Sequence, residues 1–418
     1  MKKFPVYVLC PVIFLSACST MGNRLDAARD GFASGDYSNK KIGDDNLDPL
    51  LAGNALFQQN KFKESDAAFE DINKRMSDAQ SASVAGEVGK ALSSQMAGNY
   101  KPFFMDDLFV SYYQIWDALA DGRDKDARVI VNQSYAKQQK LSKEFASLIS
   151  RRETGGNGLG AKLRSENSGW ESYRDIMNPA LTYLSGLYFL NFAAGASDFE
   201  TARTYLSRAS GMMPDNDYIK SDLAAAVSGK KPGGMAWIFI ESGFAPKLDE
   251  RRIDWPVIGA NGVTSVSVAV SEPVMFVDMP TPDGARLLAD VDAMFMTEFK
   301  EYSVNDALRA LAGVAAKTAV QAVANNQLGP WGGFGAMIYS IASTGAEIRT
   351  WATLPKKIYL MRIDKTANSK ERTENNEELI LLKINGNVVS EIKVPVTGND
   401  LIYIRLLNGK IEPKIIRI

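Results

Sequence analysis

Gly53-Asn54-Ala55-Leu56, then Gln59-Asn60-Lys61-Phe62, then Ser65, Phe69 and Ile72 form the stretch whose reading decides the fold. Counted from Gly53, the residues Leu56, Phe62, Ser65, Phe69 and Ile72 fall 3, 9, 12, 16 and 19 positions later. Small and large side chains alternate at helical spacing on both sides of a polar break. Two short helices joined by a tight turn satisfy that spacing. The small residues let the helices approach and the aromatics fill the space between them. The pattern resembles a tetratricopeptide repeat unit, and a generic bundle of helix pairs is the competing reading.

Similar pieces recur. Ala118 precedes Asp121-Gly122-Arg123-Asp124, and Ala127, Val131 and Ser134 follow. Gly186-Leu187-Tyr188-Phe189 belongs to a helix before Ser197-Asp198-Phe199, with Ala202, Leu206, Ala209 and the terminating Pro214 after it. Weaker turns stand at Gly35-Asp36-Tyr37 and Gly98-Asn99-Tyr100. Their irregular spacing predicts degenerate repeats, whose concave face, by analogy with solenoids, takes an extended peptide or a partner helix. Gly155-Gly156-Asn157-Gly158-Leu159-Gly160-Ala161 follows a helical run ending near Arg152. A dinucleotide fingerprint needs a strand there, so the segment reads as a loop.

Gly229-Lys230-Lys231-Pro232-Gly233-Gly234 is a turn-rich break and the predicted domain boundary. Beyond it, Ala236-Trp237-Ile238-Phe239-Ile240 reads as a strand buried on both faces. Val263 to Ala269 alternates as a half-buried strand, and Val274 to Val277 is a further candidate. Near the end, Lys357–Ile363, Glu378–Ile384, Val388–Val394, Leu401–Leu407 and Lys410–Ile416 read as strands, with turns at Asn385-Gly386 and Asn408-Gly409. Pro413 assigns the last strand to a sheet edge or a bulge, and residues 365–378 read as a polar loop.

Between these strands the pattern returns to helix. Ala285 to Phe299 reads as one helix and Asn305 to Ala324 as another, while Leu328 to Ala346 carries no charge. Residues 304–348 therefore have two readings, a helical hairpin packed on the sheet or a pair of helices dipping into a membrane. Arg309 and Lys317 weigh against lipid. The expected class is α+β. A tetratricopeptide-like helical domain covers 51–229, and a β-rich domain covers 235–418 with a helical insertion at about 284–348.

The chain opens with Lys2-Lys3 and an apolar run from Phe4 to Leu15, closed by Leu15-Ser16-Ala17-Cys18. This layout resembles a bacterial lipoprotein signal peptide, residues 1–17, cut between Ala17 and Cys18. The apolar run of about 12 residues is short against the ~20 that span a bilayer. The Cys18 thiolate is the nucleophile that takes the diacylglycerol group, and residues 18–50 read as a lipidated N-terminus and linker. Ser19 stands where an Asp often signals inner-membrane retention, so the expected address is the outer membrane, facing the periplasm.

Composition excludes more than it assigns. The 418 residues suffice for two or three domains, and 45% hydrophobic with 23% charged content is ordinary. Cleavage before Cys18 removes Lys2 and Lys3 and no acid, leaving 46 basic against 49 acidic residues. That slight excess of acid offers no electrostatic case for nucleic acid. Cys10 leaves with the signal and Cys18 takes lipid, so the mature chain has no disulfide. There is no histidine, which rules out Ser-His-Asp and Cys-His catalysis and histidine-ligated metals. No cofactor or metal site is expected.

Five segments stand out in order: Leu119-Ala120-Asp121-Gly122 with Ala127-Arg128-Val129, Tyr183-Leu184-Ser185-Gly186-Leu187, Glu241-Ser242-Gly243-Phe244-Ala245-Pro246, Ile253-Asp254-Trp255-Pro256 and Arg349-Thr350-Trp351-Ala352-Thr353-Leu354-Pro355. Together they resemble a family of uncharacterised bacterial lipoproteins with tetratricopeptide-like helices and a β-rich C-terminal part. The resemblance implies no activity. Members are often encoded beside lipoproteins resembling activators of penicillin-binding proteins, a hint towards cell-wall synthesis.

Glu241, Lys247, Glu250, Arg251 and Arg252 form the best candidate polar site. Paired acids there suit general acid–base chemistry on an envelope polymer, whereas ion pairs fixing a loop after a strand are the plainer reading. The expectation is a non-catalytic periplasmic scaffold, held to the membrane by its N-terminal lipid and binding one or more envelope proteins. A carboxylate enzyme and a membrane-inserting component are the alternatives.

Overall fold

The computed structural model describes residues 12–38, 41–81, 98–152, 177–259, 262–302, 345–366, 377–407, 411 and 413–418. The first half is helical: α1 (Val12–Ser34), α2 (Leu47–Gln58), α3 (Phe62–Ser81), α4 (Phe104–Ala120), α5 (Asp124–Arg152), α6 (Pro179–Asn191), α7 (Ala196–Met212) and α8 (Asp217–Ser228).

The expected pair α2–α3 forms, and Gly53 shows why. A Cβ at Gly53 would lie 2.6 Å from the Phe69 ring, so only glycine lets α3 seat that ring against α2. Asn60 takes φ 61° in the turn between them. Ser65 Oγ lies 2.9 Å from the Gly53 carbonyl and 2.7 Å from Asp117 Oδ2. One hydroxyl hydrogen cannot serve both acceptors. Burial pushes the Asp117 carboxyl well above the ordinary range. Through Ser65, α3 thus reaches both α2 and α4. Glycine plays the same part between α6 and α7, where a Cβ on Gly186 would lie 2.7 Å from Leu206 Cγ. Asn178 and Asn216 cap α6 and α8 by accepting from backbone N–H groups, and Gly229 ends α8 in the left-handed conformation.

Helix gives way to strand at the expected place, and the fold is α+β. Nine strands follow: β1 (Met235–Ser242), β2 (Lys247–Gly259), β3 (Gly262–Val274), β4 (Arg286–Asp290), β5 (Lys357–Asp364), β6 (Glu377–Ile384), β7 (Asn387–Pro395), β8 (Asp400–Leu406) and β9 (Lys414–Arg417), counted among the described residues. A five-stranded sheet runs β4-β5-β1-β8-β9, with β1 and β8 parallel and its other pairs antiparallel. Strand β9 forms an edge and starts only at Lys414, so Pro413 lies before it and not within it. The β6–β7 hairpin turns through Asn385 (φ 52°) and Gly386 (φ 79°).

The sheet is buried on both faces, which is why β1 is continuously apolar up to Ile240. Trp237 and Phe239 of β1, with Leu401 and Tyr403 of β8, point into the helices. Ala236, Ile238 and Ile240, with Ile402 and Ile404, point to the β6–β7 hairpin and its Ile380, Leu382, Ile392 and Val394.

Four expectations need correction. Residues 18–50 are no linker: α1 extends to Ser34, and Leu25, Phe32, Ile42 and Leu47 are buried in the core. The segment Ala285–Phe299 is not one helix. Its helix-favouring residues Arg286–Asp290 form β4 because the edge of β5 offers unpaired backbone groups, and a helix, α9, occupies 291–302. Strand β3 ends at Val274, leaving Met275 to Val277 outside any strand. The helical half also presents no open groove to a peptide where the sheet packs. That face is filled by Trp116 against Phe239 (5.1 Å between ring centres), Tyr183 against Phe239 (5.8 Å) and Phe57 against Tyr403 (4.8 Å). One hydrophobic core thus crosses the predicted boundary at 229–234. The glycine-rich segment 155–161, most of the 304–348 hairpin and most of the 365–378 loop lie outside the described residues.

Candidate functional site

Glu241 is the one predicted site residue that the fold places in a built environment. It occupies β1 in register with Arg405 of β8 and faces α4. Its Oε2 accepts from Tyr113 OH at 2.9 Å, Tyr403 OH at 2.7 Å and Arg405 Nη1 at 3.3 Å. Arg405 also donates Nη2 to the carbonyls of Gly243 (2.8 Å) and Thr353 (3.2 Å) and lies over the Phe32 and Phe244 rings. Gln58 of α2 donates to Tyr403 OH at 2.8 Å, so α2, α4, β1 and β8 meet at one cluster.

Glu241 is 0% exposed and Arg405 5%. Burial pushes the Glu241 carboxyl above its ordinary range, while Arg405 and the tyrosine hydroxyls pull it back. Burial, and then the same carboxylate, raise Tyr113 and Tyr403 well above the usual phenol range. Glu241 Oε1, Arg405 Nε and the buried Tyr112 hydroxyl have no hydrogen-bond partner among the described atoms. The cluster is sealed, and its geometry suits a polar lock joining helices to sheet.

The other predicted residues lie elsewhere. Lys247, Glu250, Arg251 and Arg252 are not on a loop but on β2, a strand that sequence reasoning missed because its charged start hides the alternation. Lys247 reaches Asp26 of α1 at 3.2 Å, Arg252 pairs with Glu250 at 3.0 Å, and Arg251 with Glu272 of β3 at 3.8 Å. Glu250 Oε2 accepts from the Ala346 backbone at 3.0 Å. None of these contacts involves Glu241.

Other buried charges carry no motif and were not foreseen. Asp222 of α8 accepts from Tyr183 OH (2.5 Å), Trp237 Nε1 (2.9 Å) and Arg362 Nε (2.8 Å), a second bridge from helix to sheet. Lys365 and Asp400 form a buried ion pair beneath the β6–β7 hairpin. At the start of α4, Glu298 accepts from the N–H groups of Phe104 and Met105 at 2.6 Å each, and Asp106 accepts from Tyr100 OH at 2.6 Å. Burial raises both carboxyls, Asp106 to about 7.

A shallow pocket of about 30 Å³ lies beside α1 and α2, lined by Ala28, Phe32, Tyr37, Leu51 and Ala55, with Asp36 as its one carboxylate. Among the described residues, no group of three His, Cys, Asp or Glu is placed to hold a metal ion. None of the described helices is long and apolar enough to cross a membrane. Comparison with protein-family models, curated proteins and solved structures finds no match to this chain.

Proposed function

We propose that this chain is an outer-membrane lipoprotein, anchored through Cys18 and facing the periplasm, that works by binding one or more envelope proteins rather than by catalysis. The Leu15-Ser16-Ala17-Cys18 motif after a short apolar run carries the reading. Two further observations support it. The chain has no histidine, and the strongest carboxylate cluster, around Glu241, is closed to any substrate. Glu241 and Glu250 contact different elements, so the acid–base pair that an envelope-polymer hydrolase needs is not assembled from them. Because the sheet fills the inner face of the helices, the partner surface lies on the outside of the body. Val129 of α5 and Val388 of β7 are exposed there at 54% and 47%. A role beside cell-wall synthesis accords with the family the chain resembles.

The anchor is tested by membrane fractionation and intact mass of the native and Cys18→Ala proteins. Acylated native chain in the outer-membrane fraction and free Cys18→Ala protein are expected. An unmodified, diffusing native chain overturns the anchor. Photo-crosslinking groups at Val129 and Val388 in living cells test the scaffold. A single defined envelope protein captured from either position is expected, and no capture from both overturns the binding role.

A further inference from the structure

The anchor and the body are separated by almost nothing. Helix α1 runs unbroken from Val12 to Ser34, through position 18. Among the described side chains, Met21 is packed against the main core, and the same stripe of contact continues through Leu25, Arg29 and Phe32. A Cβ on Gly22 would lie 3.8 Å from Ile348 Cδ1, so the body already abuts the helix four residues after the cysteine. Residue 18 to Met21 is one helical turn, a rise of about 4.5 Å. Even fully stretched, those three residues reach only about 10 Å.

We infer that the surface beside the contact of Met21 and Gly22 with Ile348, where Asn23 is exposed, rests on the lipid headgroups, a placement that follows from the lipoprotein reading above. A body hanging from a long linker samples every orientation, and this one has no slack to do so. Ser34, at the opposite end of α1, lies about 24 Å along the helix axis from position 18, so a helix standing off this surface carries it clear of the headgroups.

A second observation marks the same face. The uncharged stretch Leu328–Ala346 rejoins the described chain at Gly345, two residues before Glu347 and three before Ile348. Its junction is pinned there by Ala346 N–H on Glu250 and by Ser271 Oγ, which donates to the Glu347 carbonyl at 2.6 Å. The acids around this junction are paired within the protein: Glu347 and Asp44 with Arg349 at 2.5 and 2.6 Å, and Glu250 with Arg252. Internal pairing lowers their repulsion from an anionic headgroup layer.

The test uses the full acylated chain in vesicles of phosphatidylethanolamine and phosphatidylglycerol containing a headgroup spin label. Acylation blocks the thiol at residue 18 and Cys10 departs with the signal, so one introduced cysteine takes one fluorophore. Probes are placed by Asn23→Cys and Ser34→Cys, both at exposed positions. The probe at 23 is expected to lose most of its fluorescence to the spin label and the probe at 34 to keep it. A flexible spacer of about twenty residues inserted after Thr20 is long enough to free the body. It is expected to restore fluorescence at 23 while the protein stays on the vesicles. Equal fluorescence at the two positions in vesicle-bound, acylated protein overturns the apposed face. A chain that carries no acyl mass and does not sediment with vesicles overturns the lipoprotein reading itself.

Discussion

Arg405 of β8 and Glu241 of β1 form an ion pair at 3.3 Å inside the core, with both side chains less than 5% exposed. Removing one partner strands the other charge away from water. Glu241→Gln is expected to cost about 3–5 kcal/mol. Adding Arg405→Met is expected to recover part of that loss, because the remaining tyrosines and glutamines satisfy one another. Urea unfolding midpoints of the single and double variants check it; additive losses contradict the pairing.

Close helix approach depends on two glycines. Gly53→Ala pushes a methyl into the Phe69 ring and Gly186→Ala pushes one into Leu206. Each is expected to cost about 1–3 kcal/mol by overpacking. Gly211 on α7 has nothing within 4 Å of a built Cβ. There, alanine is expected to gain up to about 1 kcal/mol from helix propensity. Thermal unfolding of the three variants separates the two effects.

Acidity should stabilise part of the fold. Burial raises Asp106 from 3.8 to about 7 and Asp292 to about 6. A carboxyl whose pKa rises on folding holds its proton more tightly in the native state. Its contribution is complete below pH 4 and disappears as pH climbs through the folded value. For Asp106 the swing is on the order of 4 kcal/mol. Asp106→Asn is therefore expected to flatten the fall in Tm between pH 5 and pH 8. An unchanged slope counts against the shift.

The helical half should not fold alone. Trp116, Tyr183 and Phe57 are buried by Phe239 and Tyr403 of the sheet, and Asp222 loses Trp237 and Arg362 when the sheet is removed. A fragment of residues 51–229 is expected to lack the near-ultraviolet circular dichroism and cooperative unfolding of the whole chain. A cooperative transition in the fragment would show two independent cores.

Helix pairs were legible where a glycine or a turn residue left a mark. Gly53, Gly122, Gly186 and the Asn385-Gly386 turn each encode a local geometry that few other residues adopt. Strand β4 was not legible, since its Arg-Leu-Leu-Ala run favours helix and only the edge of β5 makes it a strand. Of the candidate site, Glu241 was found by its place after an apolar strand. Its partners Tyr113 and Arg405 stand 128 and 164 residues away, and no spacing rule joins them.

Local chemistry alone thus determined the order of helices and strands, the absence of histidine chemistry and the motif around Cys18. Tertiary structure decided that the two halves share one core, that the inner face of the helices is occupied, and that α1 docks on the body within a turn of residue 18. The physical reason is range. Turn geometry and helical periodicity act over a few residues and are written into neighbours. Burial and charge pairing act between residues brought together only when the chain closes on itself.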